Sequence, residues 1–176
     1  LDPRVASVAS IFVSRWDVAV NGKVPDDLRN RLGIAIAQRT YKAYRALLAS
    51  PRWRTLEAGG ALPQRLLWAS TGTKDESASD LLYVEALQAP ETIDTMPDKT
   101  LIAFSDHGEV KGAMDPGGGD AETVIARFRD QGIDDGELAS RLQREGTEKF
   151  AKSWGALMER IASKSAMAPP RSSAAA

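Results

Sequence analysis

Two stretches of the chain end an apolar run with hydroxyl groups and a single cation, the equipment for holding an anionic, hydroxylated ligand. The first, Gln64 to Asp75, reads QRLLWASTGTKD. Leu66, Leu67, Trp68 and Ala69 form a short run of the kind shown by a strand buried on both faces, and Ser70, Thr71, Gly72, Thr73 and Lys74 follow at once. Hydroxyls, backbone N–H groups and one ammonium at the end of such a strand suit a phosphate or sugar oxygen. The second stretch, Val5 to Asp17, reads VASVASIFVSRWD and has the same design, with hydroxyls at Ser7, Ser10 and Ser14 and then Arg15. A lysine just past one strand is most simply a solvated loop residue. Two buried strands that each deliver a serine and one cation at the C-terminal end point instead to the rim of a (β/α)-type barrel, where that fold binds its ligands.

The elements that must carry these residues are read from periodicity and turn signals. Trp16 to Val24 is polar and contains the turn dipeptide Asn21-Gly22, and Pro25-Asp26-Asp27 then starts a helix over Leu28 to Ala49 with a carboxylate as its cap. Leu28, Leu32, Ile36, Ala43 and Leu47 make its buried stripe, and its basic residues are a solvated face. Ser50-Pro51 ends it, Trp53 and Leu56 tuck in a short turn, and Ala58 to Ala61 lead flexibly to the strand Leu66 to Ser70. A helix over Ser79 to Leu87, a strand over Thr92 to Met96 closed by Pro97, and a helix over Asp98 to Phe104 come next. Strand-then-helix units in succession predict an α/β fold with a parallel sheet. Gly108 to Gly119 is a loop, Asp120 caps a helix over Ala121 to Gln131, and Ile133 to Ile161 is helical with Gly146 as a candidate break. Leu138, Leu142, Phe150, Trp154, Leu157, Met158 and Ile161 form an apolar stripe there, as expected of a helix lying across a larger body. Residues 163–176 are small, polar and repetitive, which predicts a disordered tail or linker and leaves 1–162 as the folded part.

Length and charge set further bounds. The 176 residues make about one domain, and 43% hydrophobic residues is ordinary for a globular core. A complete (β/α)8 barrel takes about 250 residues, so the fold is either smaller or part of such a barrel. The chain starts at Leu1 and enters a strand within a few residues, which is unusual for a native N-terminus. A formal net charge of -1 with mixed signs offers no basic face for nucleic acid. No run is long and apolar enough to cross a membrane, no signal-peptide pattern is visible, and zero cysteines exclude disulfides and thiolate sites. A cytoplasmic protein fits.

The segments SVASIFVSRWD, QRLLWASTGTKD, DLLYVEAL, TIDTMP and DHGEVKG, in this order and roughly this spacing, closely resemble the C-terminal half of bacterial transaldolases. The resemblance covers nearly the whole chain up to the tail. It implies an α/β fold that is the C-terminal part of a TIM (β/α)8 barrel, strands six to eight, with C-terminal helices. It implies transfer of a dihydroxyacetone unit from sedoheptulose 7-phosphate to glyceraldehyde 3-phosphate through a lysine Schiff base, with no cofactor and no metal. In the family that lysine is on the fourth strand and the acid/base carboxylates are on the first and third, so no catalytic residue is expected in this chain. The partners implied are sugar phosphates and the N-terminal half of the same barrel.

Residue by residue, Arg15 and Lys74 match family positions that face the substrate phosphate, Ser10 matches a serine that bonds the dihydroxyacetone unit, Phe12 lines the pocket wall and Ser70 matches a small pocket residue. The plain alternatives are a salt bridge from Arg15 to Asp17 or another barrel-rim carboxylate, packing roles for Ser10 and Phe12, and a solvated Lys74. Lys74 is not the Schiff-base lysine, because that chemistry wants a desolvated strand position. His107 reads as a surface loop residue, Gly117-Gly118-Gly119 as a linker rather than a phosphate loop, and Glu76, Asp80 and Glu85 as solvated. A rival function is a non-catalytic sugar-phosphate-binding module. Some bacterial transaldolases are fused to a glucose-6-phosphate isomerase, and the Ser/Ala/Pro-rich tail would suit such a linker.

Overall fold

The apolar run at Leu66 lies in the middle strand of a parallel sheet. A computed structural model describes residues 2–167, which fall into two compact units divided between Asp135 and Gly136. The first holds β1 (Ser7–Phe12), α1 (Val13–Val20), α2 (Leu32–Ala49), α3 (Pro51–Ala58), β2 (Gln64–Ala69), α4 (Leu82–Ala86), β3 (Thr92–Asp94), α5 (Asp98–His107) and α6 (Ala121–Asp130). Short 3-10 turns at Asn21–Lys23 and Asp26–Leu28 join α1 to α2. The second unit is, over its described residues, the rest of α7, a single helix running Asp135–Met167 whose first residue belongs to the first unit.

The sheet order is β1-β2-β3, parallel throughout, with Ile11 opposite Trp68 and Trp68 opposite Asp94. Side chains alternate along each strand, so this register sorts the residues onto two faces. Leu66 and Trp68 turn toward the helices and are buried in one cluster with Ala37, Tyr41 and Tyr44 of α2 and Tyr83 of α4. Removing Leu66 from water contributes about 2 kcal/mol. Ser10 and Phe12 fall on the opposite face with Leu67, Ala69 and Ile93. Among the described residues, no strand pairs with the outer edge of β1 or of β3.

Several boundaries differ from the sequence expectation, each for a visible reason. The polar segment after Arg15 is not a loop: α1 begins at Val13, directly after β1, and Ser14, Arg15 and Asp17 are on it. The long helix starts at Leu32 rather than Leu28, because its cap is not Asp26 or Asp27. Asp17 Oδ1 accepts from Leu32 N at 2.9 Å and from Gly33 N at 3.2 Å, so a carboxylate from 15 residues upstream satisfies the free amides of the first turn. An alanine Cβ at position 33 would lie 2.6 Å from the Val13 carbonyl oxygen, so glycine is what lets α1 and α2 meet.

Ser50-Pro51 ends one helix and also starts the next. Ser50 Oγ accepts from Trp53 N at 3.2 Å and proline takes the first helical position, so the expected short turn is α3. Upstream of α4, Ser79 Oγ accepts from Leu81 N and its carbonyl from Thr73 Oγ1, which holds residues 79–81 in a turn and delays the helix. β3 stops at Asp94; Thr95 then bonds the Trp68 carbonyl through N and Oγ1. His107 is the last residue of α5 rather than a loop residue, with Nε2 at 3.1 Å from Asp80 Oδ1 and Nδ1 at 3.3 Å from Asp106 Oδ2. Glu85 is not solvated: its side chain is 18% exposed and accepts from Lys111 Nζ at 2.7 Å.

Gly146 does not break α7, which a glycine in an otherwise favourable helix only weakens. The same helix carries Ser163 to Met167, expected as part of a tail, because Lys, Ala and Met there favour helix and the first proline comes only at Pro169. The rest of the expected tail, 168–176, lies outside the described residues. Phe150, Trp154, Leu157, Met158 and Ile161 of the apolar stripe are exposed, Trp154 by 65%.

Candidate functional site

The two cation-bearing stretches meet at the C-terminal end of the sheet. β1 passes into α1 without a linker, which sets Ser14 beside Ser70, the residue that follows β2. Ser14 N donates to the Ser70 carbonyl at 3.2 Å, and the Ser14 and Ser70 hydroxyls are 2.9 Å apart. Ser70 has φ +58, a left-handed conformation that costs a serine roughly 1–2 kcal/mol. Held strain of this kind concentrates where the backbone is shaped for a task, and here it turns the chain sharply out of β2.

Arg15, in the first turn of α1, is half-buried, and its guanidinium carbon stands 4.4 Å from the centroid of the Phe12 ring. Stacking on an aromatic face leaves the in-plane fork of N–H donors directed elsewhere. The salt bridge to Asp17 is not formed: Arg15 has no ion pair among the described residues, and Asp17 is bonded to Leu32, Gly33 and Tyr83 instead. Ser10 is exposed and Phe12 half-buried, and their register puts both on the sheet face away from α2.

Lys74 is exposed and has no hydrogen bond or ion pair among the described residues. A Cβ on Gly72 would lie 3.6 Å from Lys74 Nζ, so the ammonium folds back over Gly72. The same Cβ would lie 3.2 Å from Pro97 Cγ and 3.4 Å from Thr100 Oγ1, which places Gly72 against the start of α5. Thr71, fully buried, donates to Asp94 Oδ1 at 2.7 Å and ties this segment to the end of β3. Burial pushes the Asp94 carboxyl above its ordinary value, opposed by the Thr71 bond.

Four groups, Asp17, Tyr83, Ser14 and Asp75, have supporting roles that the sequence reading did not assign to them. Asp17 is buried, and burial pushes its carboxyl up against the pull of its hydrogen bonds from Tyr83 OH at 2.8 Å and from Gly33 and Leu32 N–H. Tyr83 is in turn pushed well above the usual phenol range by burial and by the Asp17 charge beside it. Ser14, 1% exposed, is a structural tie rather than a free hydroxyl. Asp75 accepts from Arg29 Nη2 and Asn30 Nδ2, each at 2.8 Å, and from Ser77 Oγ at 2.6 Å, bonds that hold it well below the carboxylate range. Apart from Ser77, two residues on from Asp75, the partners of Asp17 and Asp75 are 15 to 66 residues away, so no local spacing could reveal them; for Ser14, its place in the VSRWD run was the available signal.

Comparison with known proteins gives a consistent result. The model of the transaldolase/fructose-6-phosphate aldolase family matches residues 3–161. A transaldolase of Parafrankia sp. (strain EAN1pec) is 45% identical over 165 residues, covering 89% of this chain and 45% of that protein. A transaldolase of Frankia alni is 45% identical over 166 residues, 90% of this chain and 45% of its own length. A transaldolase of Neisseria meningitidis serogroup A is 40% identical over 151 residues, 86% of this chain and 43% of its own. The chain thus spans less than half the length of these curated relatives.

Proposed function

Because this chain belongs to the transaldolase/fructose-6-phosphate aldolase family, we propose that it supplies the phosphate and substrate contacts of a transaldolase. The reaction moves a dihydroxyacetone unit from sedoheptulose 7-phosphate to glyceraldehyde 3-phosphate. In this proposal β1, β2 and β3 are the sixth to eighth strands of a (β/α)8 barrel, and α7 belongs to a C-terminal helical extension. Both open sheet edges, the exposed Leu101 and Ile102 of α5, and the exposed stripe on α7 support a body larger than this chain, with the N-terminal half of the barrel as its complement. A cytoplasmic setting goes with it.

Two cations that, among the described residues, make no ion pair, at the ends of adjacent parallel strands, carry the proposal. Arg15 and Lys74 hold the substrate phosphate, Arg15 through a fork of donors and Lys74 as a point charge. Ser10 bonds the dihydroxyacetone hydroxyls, Phe12 forms the wall beneath Arg15, and Ser70 shapes the exit from β2. The electron sink is an iminium formed when a lysine amine condenses with the substrate ketone and loses water. That lysine lies outside this chain, since Lys74 is exposed in a loop rather than set in a desolvated strand position.

The test is transaldol transfer from fructose 6-phosphate by the protein as its gene encodes it. Arg15→Ala should raise KM about 10- to 100-fold while kcat changes far less, the signature of lost binding common to ground and transition states. Absence of transfer, or an unchanged KM in Arg15→Ala, would overturn the assignment. Phosphate binding without any transfer would favour a non-catalytic binding module.

A further inference from the structure

We propose that Asp75 is a positioning residue for Lys74, a role that rests on the phosphate-binding function assigned to Lys74 above. Its carboxylate is fully engaged: Oδ2 accepts from Arg29 Nη2 and Asn30 Nδ2 at 2.8 Å each, and Oδ1 accepts from Ser77 N at 3.0 Å and Ser77 Oγ at 2.6 Å. The side chain is only 11% exposed. With its acceptor sites filled, Asp75 is no ligand; what it does is fasten the segment after β2 to the connection between α1 and α2.

That connection is itself braced. Asn30 holds a left-handed φ of +60, and Asn21 fixes it by accepting from Asn30 N at 3.0 Å and donating from Nδ2 to Asn30 Oδ1 at 2.6 Å. Asn21 directly follows α1, the helix that carries Arg15. The Lys74 segment is therefore tied to the α1 region at both of its ends, by Ser70 to Ser14 on one side and by Asp75 to Asn30 and Asn21 on the other. Lys74 is the only cation between Ser70 and Asp80. Between those ties its ammonium is held near the end of β2 before any ligand arrives.

There is an electrostatic half to the same role. The carboxylate next to Lys74 in sequence is the natural group to neutralise it. Arg29 takes that carboxylate at 2.8 Å, which leaves the ammonium of Lys74 without a partner among the described residues and available to an anion from outside. Pre-ordering the loop also removes an ordering cost that binding would otherwise bear.

The experiment is a double-mutant cycle on the protein as its gene encodes it, reading KM for fructose 6-phosphate and the inhibition constant of inorganic phosphate. Asp75→Ala should raise both about tenfold, the effect of re-ordering one loop residue on binding, with kcat little changed. Lys74→Ala should raise them at least as much, and the double variant should match Lys74→Ala, because without the ammonium there is nothing left to position. Full additivity would overturn the inference, as would an unchanged phosphate inhibition constant in Asp75→Ala. If Lys74→Ala itself leaves that constant unchanged, the phosphate-binding function of Lys74 is what fails. Should Asp75→Ala not fold, Arg29→Gln removes one bond of the clamp and is expected to give about a threefold rise under the same non-additivity criterion.

Discussion

Replacing Gly33 with alanine puts a methyl group into the contact between α1 and α2. The new Cβ would lie 2.6 Å from the Val13 carbonyl oxygen, 2.7 Å from Asp17 Oδ2 and 3.1 Å from Val13 Cγ1. The carbonyl belongs to the backbone of α1, and the carboxylate is held by Leu32 N, Gly33 N and Tyr83 OH, so neither can step aside cheaply. Overpacking of this kind costs about 1–3 kcal/mol. Displacing Asp17 strands a buried amide or the Tyr83 hydroxyl for about another 1–3 kcal/mol. The better helix propensity of alanine returns up to about 1 kcal/mol. The expected net loss is therefore about 3 kcal/mol, within a range of about 1–5 kcal/mol. Urea unfolding followed by circular dichroism measures it, with Gly22→Ala as the control, because a Cβ there meets nothing within 4 Å. The control should shift stability by less than about 0.5 kcal/mol. A Gly33→Ala protein as stable as the Gly22→Ala protein would refute the role of Asp17 as the cap that joins α1 to α2.

Trp68→Ala should cost about 3–5 kcal/mol in the same unfolding assay, since the indole is 1% exposed at the centre of the cluster between β2 and α2. Asp75 should leave a mark on acid stability. Its folded carboxyl is held below the ordinary value of 3.8 by Ser77, Asn30 and Arg29, so the folded state binds fewer protons; the stabilisation is present above that value and is lost as pH falls below it. Unfolding midpoints between about pH 2 and 5 should therefore fall less steeply in Asp75→Asn than in the parent. Arg15→Lys keeps the charge but loses the fork and the stacking on Phe12, and KM for fructose 6-phosphate should rise about fivefold, less than in Arg15→Ala.

What the sequence disclosed and what it hid divide by distance along the chain. Leu66 to Ala69 announced a buried strand, Pro97-Asp98 announced the start of α5, and Arg15 and Lys74 stood out as cations after apolar runs. These are local signals. α1 was hidden because Trp16 and Asp17 read as polar turn residues, when Asp17 is in fact buried beneath Leu32, Gly33 and Tyr83. The start of α2 was misplaced for the same reason, since Asp26 and Asp27 were nearer in sequence than the carboxylate that caps it. At the site, the hydroxyls of Ser14 and Ser70 looked equivalent to others nearby. Their bond across 56 residues, and the grip of Asp75 on Arg29 and Asn30, exist only once β1 and β2 are paired.

The most direct test of the proposed role is a crystal structure of the protein as its gene encodes it, trapped with fructose 6-phosphate and borohydride. The expected result is a substrate phosphate within hydrogen-bond distance of Arg15 and Lys74, with the reduced adduct on a lysine outside these 176 residues. An adduct on Lys74, or a phosphate bound away from the ends of β1 and β2, would contradict it.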